Sequence, residues 1–437
     1  MIRFAVTLAA FFVAALPAQA EVDITEVTTP GGFSAWLVEE HSIPFVAVEF
    51  RFKGGTSLDA EGKRGATNLM TAMIEEGAGE MDAIAFSKRR EELATSIGFS
   101  VHDDALSVSF RFLTENRDAS VELLKTALTD PRFDQTALER VRAQVLSSIR
   151  SSETDPSEIA QSTFNAMAWG SHPYGSSGDG TIDSVTALTR DDIFDAHAAA
   201  IAKDRAVIGA VGDITPEELV SLIDEVLGDL PETGAPLPEM AELQLEPGIT
   251  VVPFETPQAV AFFGHEGLSR DDDDFFAAYI VNEIFGGHGL ESRLHREVRA
   301  KRGLTYGIGA YLSSRDYGDL LIGQVSTVNG RMRETVDVLT EEWRRIAGDG
   351  ITAEELEAAQ TYLTGAYPLR FDGNAQIARI LVGMQMDDLP IDYIATRNDR
   401  IRAVTLEEAN RVAARIYRPE DLQIVIAGEP EGIEPSN

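Results

Sequence analysis

The most concentrated chemistry in this sequence is the stretch RLHREVRAKRGLTY at 293–306, where Arg293, Arg296, Arg299, Lys301 and Arg302 gather beside Tyr306. The chain carries 37 Lys and Arg against 72 Asp and Glu, a formal net charge of −35. A row of cations in so acidic a setting has two physical explanations. One is a solvated helix end, where the macrodipole favours positive side chains. The other is a site that receives negative charge, for which a guanidinium fork and a phenol hydroxyl are apt donors. For Arg293, Arg296, Lys301 and Arg302 the solvated helix is the expectation. Metal chemistry finds little support in the histidines, which are scattered singly; only His288 and His295 come close, and His288 sits in a glycine turn seven residues from His295, a spacing that does not bring two ligands of one helix to one metal. With no cysteine, the chain has no thiol nucleophile and no disulfide.

Several elements must position this chemistry. Arg3 precedes the run AVTLAAFFVAALPAQA, which is too short to span a bilayer comfortably and ends in the small-x-small pattern Ala18-Gln19-Ala20. It reads as a cleaved secretory signal over 1–20, which places the mature chain in the periplasm. The acidity argues against nucleic acid and against anionic membrane surfaces, both of which would repel it. At 437 residues the chain exceeds a single core. Prolines and glycines over 231–248 separate an N-terminal half, 21–230, from a C-terminal half, 249–437. The halves repeat each other: a helical hairpin, a capped amphipathic helix and an apolar strand ending in Gly212-Asp213 recur as far as Gly428-Glu429. Helices of 3.6-residue period alternate with strands such as VAVEFRFKGG (46–55), SVSFRFLT (107–114) and GDLLIGQVST (318–327). The pattern predicts two copies of one α+β domain, each a mostly antiparallel sheet packed with helices.

This duplicated layout, with the motifs KGGTSLDAEGKRGATNLMTAMIEEGAG at 53–79 and GGHGLESRLHREVRAKRGLTYGI at 286–308, resembles the pitrilysin or insulinase group of zinc metallopeptidases, which includes the mitochondrial processing peptidases. Active members hold zinc through His-x-x-Glu-His on the helix of the first motif, with a further glutamate on a later helix. Positions i, i+3 and i+4 share one helix face, so two imidazoles reach one metal while the carboxylate takes a proton from bound water. Aligned on Gly65, those positions here hold Asn68, Thr71 and Ala72, and the later glutamate is replaced by Ser148, beside Ser147. None of these is a good zinc ligand, and Glu75 alone beside an asparagine is a poor substitute.

The second motif is intact. The resemblance implies that Arg299 and Tyr306 hold the substrate carbonyl and its developing oxyanion; Gly303 and Leu304 are expected to turn the chain so that Tyr306 starts a strand, and Gly286, Gly287 and Gly289 to form a flexible loop near the substrate entrance, with a plain tight turn as the alternative. It implies a chain with no cofactor of its own and inactive alone, the non-zinc subunit of a heteromeric peptidase. A homologous zinc-bearing partner would supply the metal, and unfolded peptides would be the substrate. An inert scaffold and a periplasmic peptide-binding or chaperone-like protein are the competing readings.

Overall fold

The computed structural model describes residues 22–287 and 291–435. The leader over 1–20, His288 and Gly289 lie outside the described residues. The first half builds strands β1 (Thr25–Thr28), β2 (Ser34–Glu39), β3 (Phe45–Lys53), a short pair β4 (Gly77–Ala78) and β5 (Met81–Asp82), β6 (Ser96–Val101), β7 (Ala105–Leu113) and β8 (Ala206–Gly212). Its helices are α1 (Ala66–Met73), α2 (Ala83–Glu92), α3 (Arg117–Thr129), α4 (Gln135–Ser152), α5 (Pro156–Trp169), α6 (Ile182–Ala187), α7 (Arg190–Ala200) and α8 (Pro216–Leu227). The second half contributes β9 (Gly248–Pro253), β10 (Gln258–Glu266), β11 (Ile308–Ser313), β12 (Leu320–Val328) and β13 (Gln423–Gly428). Its helices are α9 (Phe275–Gly286), α10 (Met332–Asp349), α11 (Ala353–Ala366), α12 (Asn374–Met386), α13 (Tyr393–Ala403) and α14 (Leu406–Ile416).

Local chemistry accounts for these elements. In β3 the two-residue period sends Val46, Val48, Phe50 and Phe52 into one core and turns Ala47, Glu49, Arg51 and Lys53 to the opposite face. Helices α6, α7, α8 and α11 start at Thr181, Thr189, Thr215 and Thr352, each closing a capping box with the residue three positions on. Helix α8 then lays Leu219, Leu222, Ile223 and Val226 along one buried stripe.

The repeat read from the sequence is present in the strand order. One sheet runs β1-β2-β8-β3-β7-β6 and the other β11-β12-β10-β13-β9, so that β2-β8-β3-β7-β6 and β9-β13-β10-β12-β11 are the same topology. In each sheet a single pair is parallel, β2 with β8 and β9 with β13, and the other pairs are antiparallel. The fold is therefore α+β, with each sheet covered on one face by helices of its own half.

The other faces are covered reciprocally. Helix α5 of the first half lies across β10 and β13, and α12 of the second half lies across β8 and β3. Phe164 and Trp169 pack with Val260, Phe262, Ile322 and Val425, while Leu381 and Met384 pack with Trp36 and Val211. An apolar sheet face must be buried against something, and each half takes its cover from the other. Residues 231–247 form neither helix nor strand and run along this join, with Ala241 N donating to Tyr317 O at 2.7 Å and Gln244 N to Ala168 O at 2.8 Å. No helix among the described residues is long and apolar enough to cross a membrane.

Candidate functional site

The basic motif folds as a tight π-helical turn, His295–Ala300, followed by a loop into β11. Its cations, alike in sequence, are treated very differently. Arg293 is 8% exposed; its Nε and Nη2 reach Glu355 at 2.8 and 2.5 Å, and Nη2 also donates to Gly350 O at 2.9 Å. Lys301 Nζ donates to Glu297 Oε1 at 2.7 Å, and Arg302 Nη1 reaches Glu297 Oε2 at 3.0 Å and its carbonyl at 2.7 Å. Burial would push the Glu297 carboxyl up, but Lys301 and Arg302 hold it below the usual carboxylate range. Arg296 stands 3.6 Å from Glu297 and 3.8 Å from Glu355. The solvated helix end expected for these residues is corrected for Arg293, which is buried and with Arg296 ties this stretch to α11 through Glu355; Lys301 and Arg302 are exposed at the end of the turn, as that reading expects, and bond Glu297 within it.

Arg299 and Tyr306 differ from them. Arg299 is exposed and lacks an ion-pair partner among the described residues; its Nη1 donates to His295 Nε2 at 2.8 Å. A guanidinium can only donate, so His295 accepts there as the Nδ1–H tautomer. The buried Nδ1 has no hydrogen-bond partner. Tyr306 is 87% exposed, and its hydroxyl has no hydrogen-bond partner among the described residues. It precedes β11 by two residues instead of starting the strand, and β11 is an edge strand of its sheet. The loop between them is well fixed. Gly303 has a φ of +60°, a left-handed turn that suits glycine, and its N donates to Arg299 O at 2.8 Å. Thr305 Oγ1 donates to Ser326 O at 2.7 Å, which pins the approach to Tyr306. The site thus presents, among the described residues, one guanidinium without a carboxylate partner and one phenol without a hydrogen-bond partner on a braced turn. The four-residue spacing of His295 from Arg299 is the sequence signal for their contact.

The glycines sit at the end of α9. Gly286 is the last residue of that helix, and a Cβ there would come within 2.6 Å of Ala310 N, so only glycine allows α9 this close to β11. Gly287 follows as the cap and borders a cavity of about 870 Å³ that also reaches Tyr311 and Asp316.

The degenerate zinc helix has become ordinary structure. Helix α1 buries Ala66, Leu69, Met70 and Met73, which leaves Asn68 half-buried and Ala72 exposed on one side. Asn68 Nδ2 donates to Asp179 Oδ1 at 3.0 Å, and the buried Thr71 hydroxyl returns to Thr67 O at 2.7 Å. Ser147 and Ser148 are exposed on α4. Glu75 is engaged by the Arg90 guanidinium. The helix start is held by Asp59, which accepts from Gly65 N at 2.8 Å, Thr67 N at 2.8 Å and Thr67 Oγ1 at 2.7 Å. Among the described residues no group of three or more His, Cys, Asp or Glu is placed to hold a metal. An amide, two hydroxyls and a methyl do not fit zinc.

Comparison with known proteins agrees with this geometry. Residues 35–181 match the family model described as insulinase (peptidase family M16), and residues 187–363 match the peptidase M16 inactive domain. The chain is 25% identical over 373 residues to the non-peptidase homologue YmxG of Helicobacter pylori, covering 85% of this chain and 86% of that one. It is 25% identical over 333 residues to a probable mitochondrial-processing peptidase subunit beta of Schizosaccharomyces pombe, covering 72% and 71%. A crystal structure described as a peptidase M16 inactive domain from Pseudomonas fluorescens superposes with a TM-score of 0.88 at 26% identity, covering 94% of this chain and 99% of that one. The chain belongs to the M16, or insulinase, peptidase family, as a member whose zinc-helix positions carry no metal-binding side chains.

Proposed function

We propose that this chain is the non-zinc subunit of a heteromeric periplasmic M16 peptidase acting on unfolded peptides. A homologous partner holds the zinc and its activated water; this chain supplies Arg299 and Tyr306 to the substrate carbonyl. The observation that carries the reading is the contrast within one turn. Arg293, Arg296, Lys301 and Arg302 all lie against Glu297 or Glu355, while Arg299 and Tyr306 are exposed, without a carboxylate partner, beside an edge strand. A tetrahedral intermediate concentrates charge on one oxygen, and fixed donors aimed at it act mainly in the transition state. An extended peptide added to the free edge of β11 would bring its carbonyls past Tyr306, with Gly286 and Gly287 behind that strand and Gly289 in the same stretch.

The test is reconstitution with the zinc-bearing homologue from the same source. The purified chain alone is expected to hold no stoichiometric zinc and to cleave no peptide. In the reconstituted pair, Tyr306→Phe is expected to lower kcat on the order of 10²-fold with a smaller change in KM. Wild-type turnover with both Arg299→Ala and Tyr306→Phe in place would sink the proposal. A second reading, a peptide-binding protein without turnover, is favoured by the name of the Helicobacter pylori relative, a non-peptidase homologue. It predicts that the chain alone binds unfolded peptide and that no homologous partner co-purifies.

A further inference from the structure

Where α12 crosses the first sheet, the fold leaves a cavity of about 450 Å³ lined by Arg51, Arg270, Arg370, Arg379 and Arg397. These come from five separate places: β3, the loop before α9, the turn after α11, α12 and α13. Asp387 is the only carboxylate in the lining. In a chain with 72 acidic residues to 37 basic ones, arginines should find carboxylates easily. Here only Arg270 does, 3.7 Å from Asp387. Arg379 donates to Gln376 Oε1 at 2.9 Å, and Arg397, 5% exposed, reaches Asn398 Oδ1 at 3.1 Å and Leu363 O at 3.3 Å. The buried Nε of Arg51 has no hydrogen-bond partner. Guanidinium charge without an ion-pair partner is costly where it is buried, as at Arg397 and in part at Arg51; Arg370 and Arg379 stand exposed at the edge, Glu49 acts on Arg51 and Arg379 only from beyond ion-pair distance, and four such cations around one space are a feature that adhesion between the halves does not require.

The cations are also held in place. Arg397 lies over the Tyr367 ring at 4.2 Å, and Arg270 lies over Phe275 at 4.2 Å while its Nη2 donates to Tyr393 Oη at 2.8 Å. Stacking on a ring face fixes the guanidinium plane and leaves its N–H edges to point elsewhere. We infer that this cavity binds a multiply charged, phosphate-bearing small molecule. A single carboxylate would neutralise one of the four unpaired arginines. A chain of phosphates offers several oxygens around each centre and can receive forks converging from several elements. The volume is that of a small-molecule site, within the roughly 300–1,000 Å³ of such pockets. A long polyanion is disfavoured, because the −35 chain around the cavity would repel it.

The test uses the full mature chain, with sodium tripolyphosphate as probe and sodium sulfate at matched ionic strength as control. Calorimetric titration should show tripolyphosphate binding at least about tenfold more tightly than sulfate, with the thermal midpoint rising as the probe is added. Arg370 and Arg379 are exposed enough to replace without opening a core. Arg370→Gln with Arg379→Gln should weaken tripolyphosphate by about tenfold or more, while Arg333→Gln, on a solvent-exposed pair with Asp337, should leave it unchanged. ATP as a further probe separates sources: tighter binding than tripolyphosphate indicates a nucleoside phosphate, equal binding a free oligophosphate. Tripolyphosphate binding no better than sulfate, or binding unchanged in a folded double variant, would overturn the inference.

Discussion

The two joins between the halves have the same topological origin and opposite chemistry. At the α5 join the contact is aromatic: Phe164 meets Phe262 edge-on at 5.0 Å, Trp169 meets Tyr174 at 5.8 Å, and Tyr317 N donates to the Tyr174 hydroxyl at 3.1 Å. At the α12 join, Leu381 and Met384 anchor the helix, but beside them stands the arginine-lined cavity. Tyr174 also donates to Asp104, and Arg315 lies over its ring and against Asp103, so the α5 side is braced by charge only at its rim. The lesson is that one crossing, aromatic although a cavity of about 390 Å³ borders Trp169 there too, can hold the duplicated halves together. The second is free to carry charge, and the molecule spends that freedom on unpaired guanidiniums.

The largest expected effect breaks the comparison at the aromatic join. Phe164→Ala should cost about 3–5 kcal/mol, the range for emptying a fully buried phenylalanine site. Because α5 belongs to one half and covers the sheet of the other, urea unfolding should remain one transition with a lower midpoint. Two separated transitions in the variant would mean that the halves stand independently and that the exchange is decorative. Next in size is Arg293→Ala, at about 3 kcal/mol, since it leaves Glu355 without its bidentate partner in a partly buried site. Arg293→Lys should recover only part of this, because an ammonium cannot serve Glu355 and Gly350 O at once.

How much of this was legible in the sequence depended on range. The duplication could be read, because element order and caps such as Thr215 and Thr352 are local. The exchange of α5 and α12 could not: the apolar positions Ala160, Phe164 and Ala168 say that a helix must be covered, not which sheet covers it. In the site, Arg293 and Arg299 are the same residue type in one motif, and the carboxylate that separates them lies 62 residues from Arg293. The arginines of the cavity stand between positions 51 and 397, so each reads alone as a surface cation. The loss of the zinc-binding side chains at Asn68, Thr71 and Ala72 was legible because it depends on residue type at a fixed spacing.

A pH series sharpens the comparison of the halves. Each holds a histidine whose burial pushes its pKa down: His197 on α7, half-buried with its ring Nε2 enclosed, to about 4, and the fully buried His265 on β10. His265 is fully committed as the neutral Nδ1–H tautomer, for Nδ1 lies 2.8 Å from Glu266 O while Trp343 Nε1 and Arg418 N both donate to Nε2, at 3.2 and 3.3 Å. A lowered histidine binds its proton less well folded than unfolded, so its contribution is complete above about pH 6.5 and is lost as pH falls toward 4. Buried Asp59 and Glu49, raised by burial, work in the opposite direction by taking up protons more readily when folded. The readable quantity is therefore the stability difference between wild type and His197→Phe. It should be flat above pH 7 and shift by up to about 2–3 kcal/mol in favour of the variant by pH 4. A difference independent of pH would show that His197 is not held neutral.

The smallest expected effect is the most telling for the site. Arg299→Ala should change stability by less than about 0.5 kcal/mol, the range for an exposed side chain without an ion pair. The contact it loses, with His295 Nε2, is exposed, and that nitrogen can turn to water. Set against about 3 kcal/mol for Arg293→Ala, this is a large contrast between two arginines six positions apart. It would establish that the stretch sorts its cations into those that pair with Glu355 or Glu297 and one, Arg299, whose single contact contributes little to the folded chain. If Arg299→Ala instead costs more than about 1 kcal/mol in chemical unfolding, its guanidinium is part of the packing, and the case for a donor kept free for substrate loses its main support.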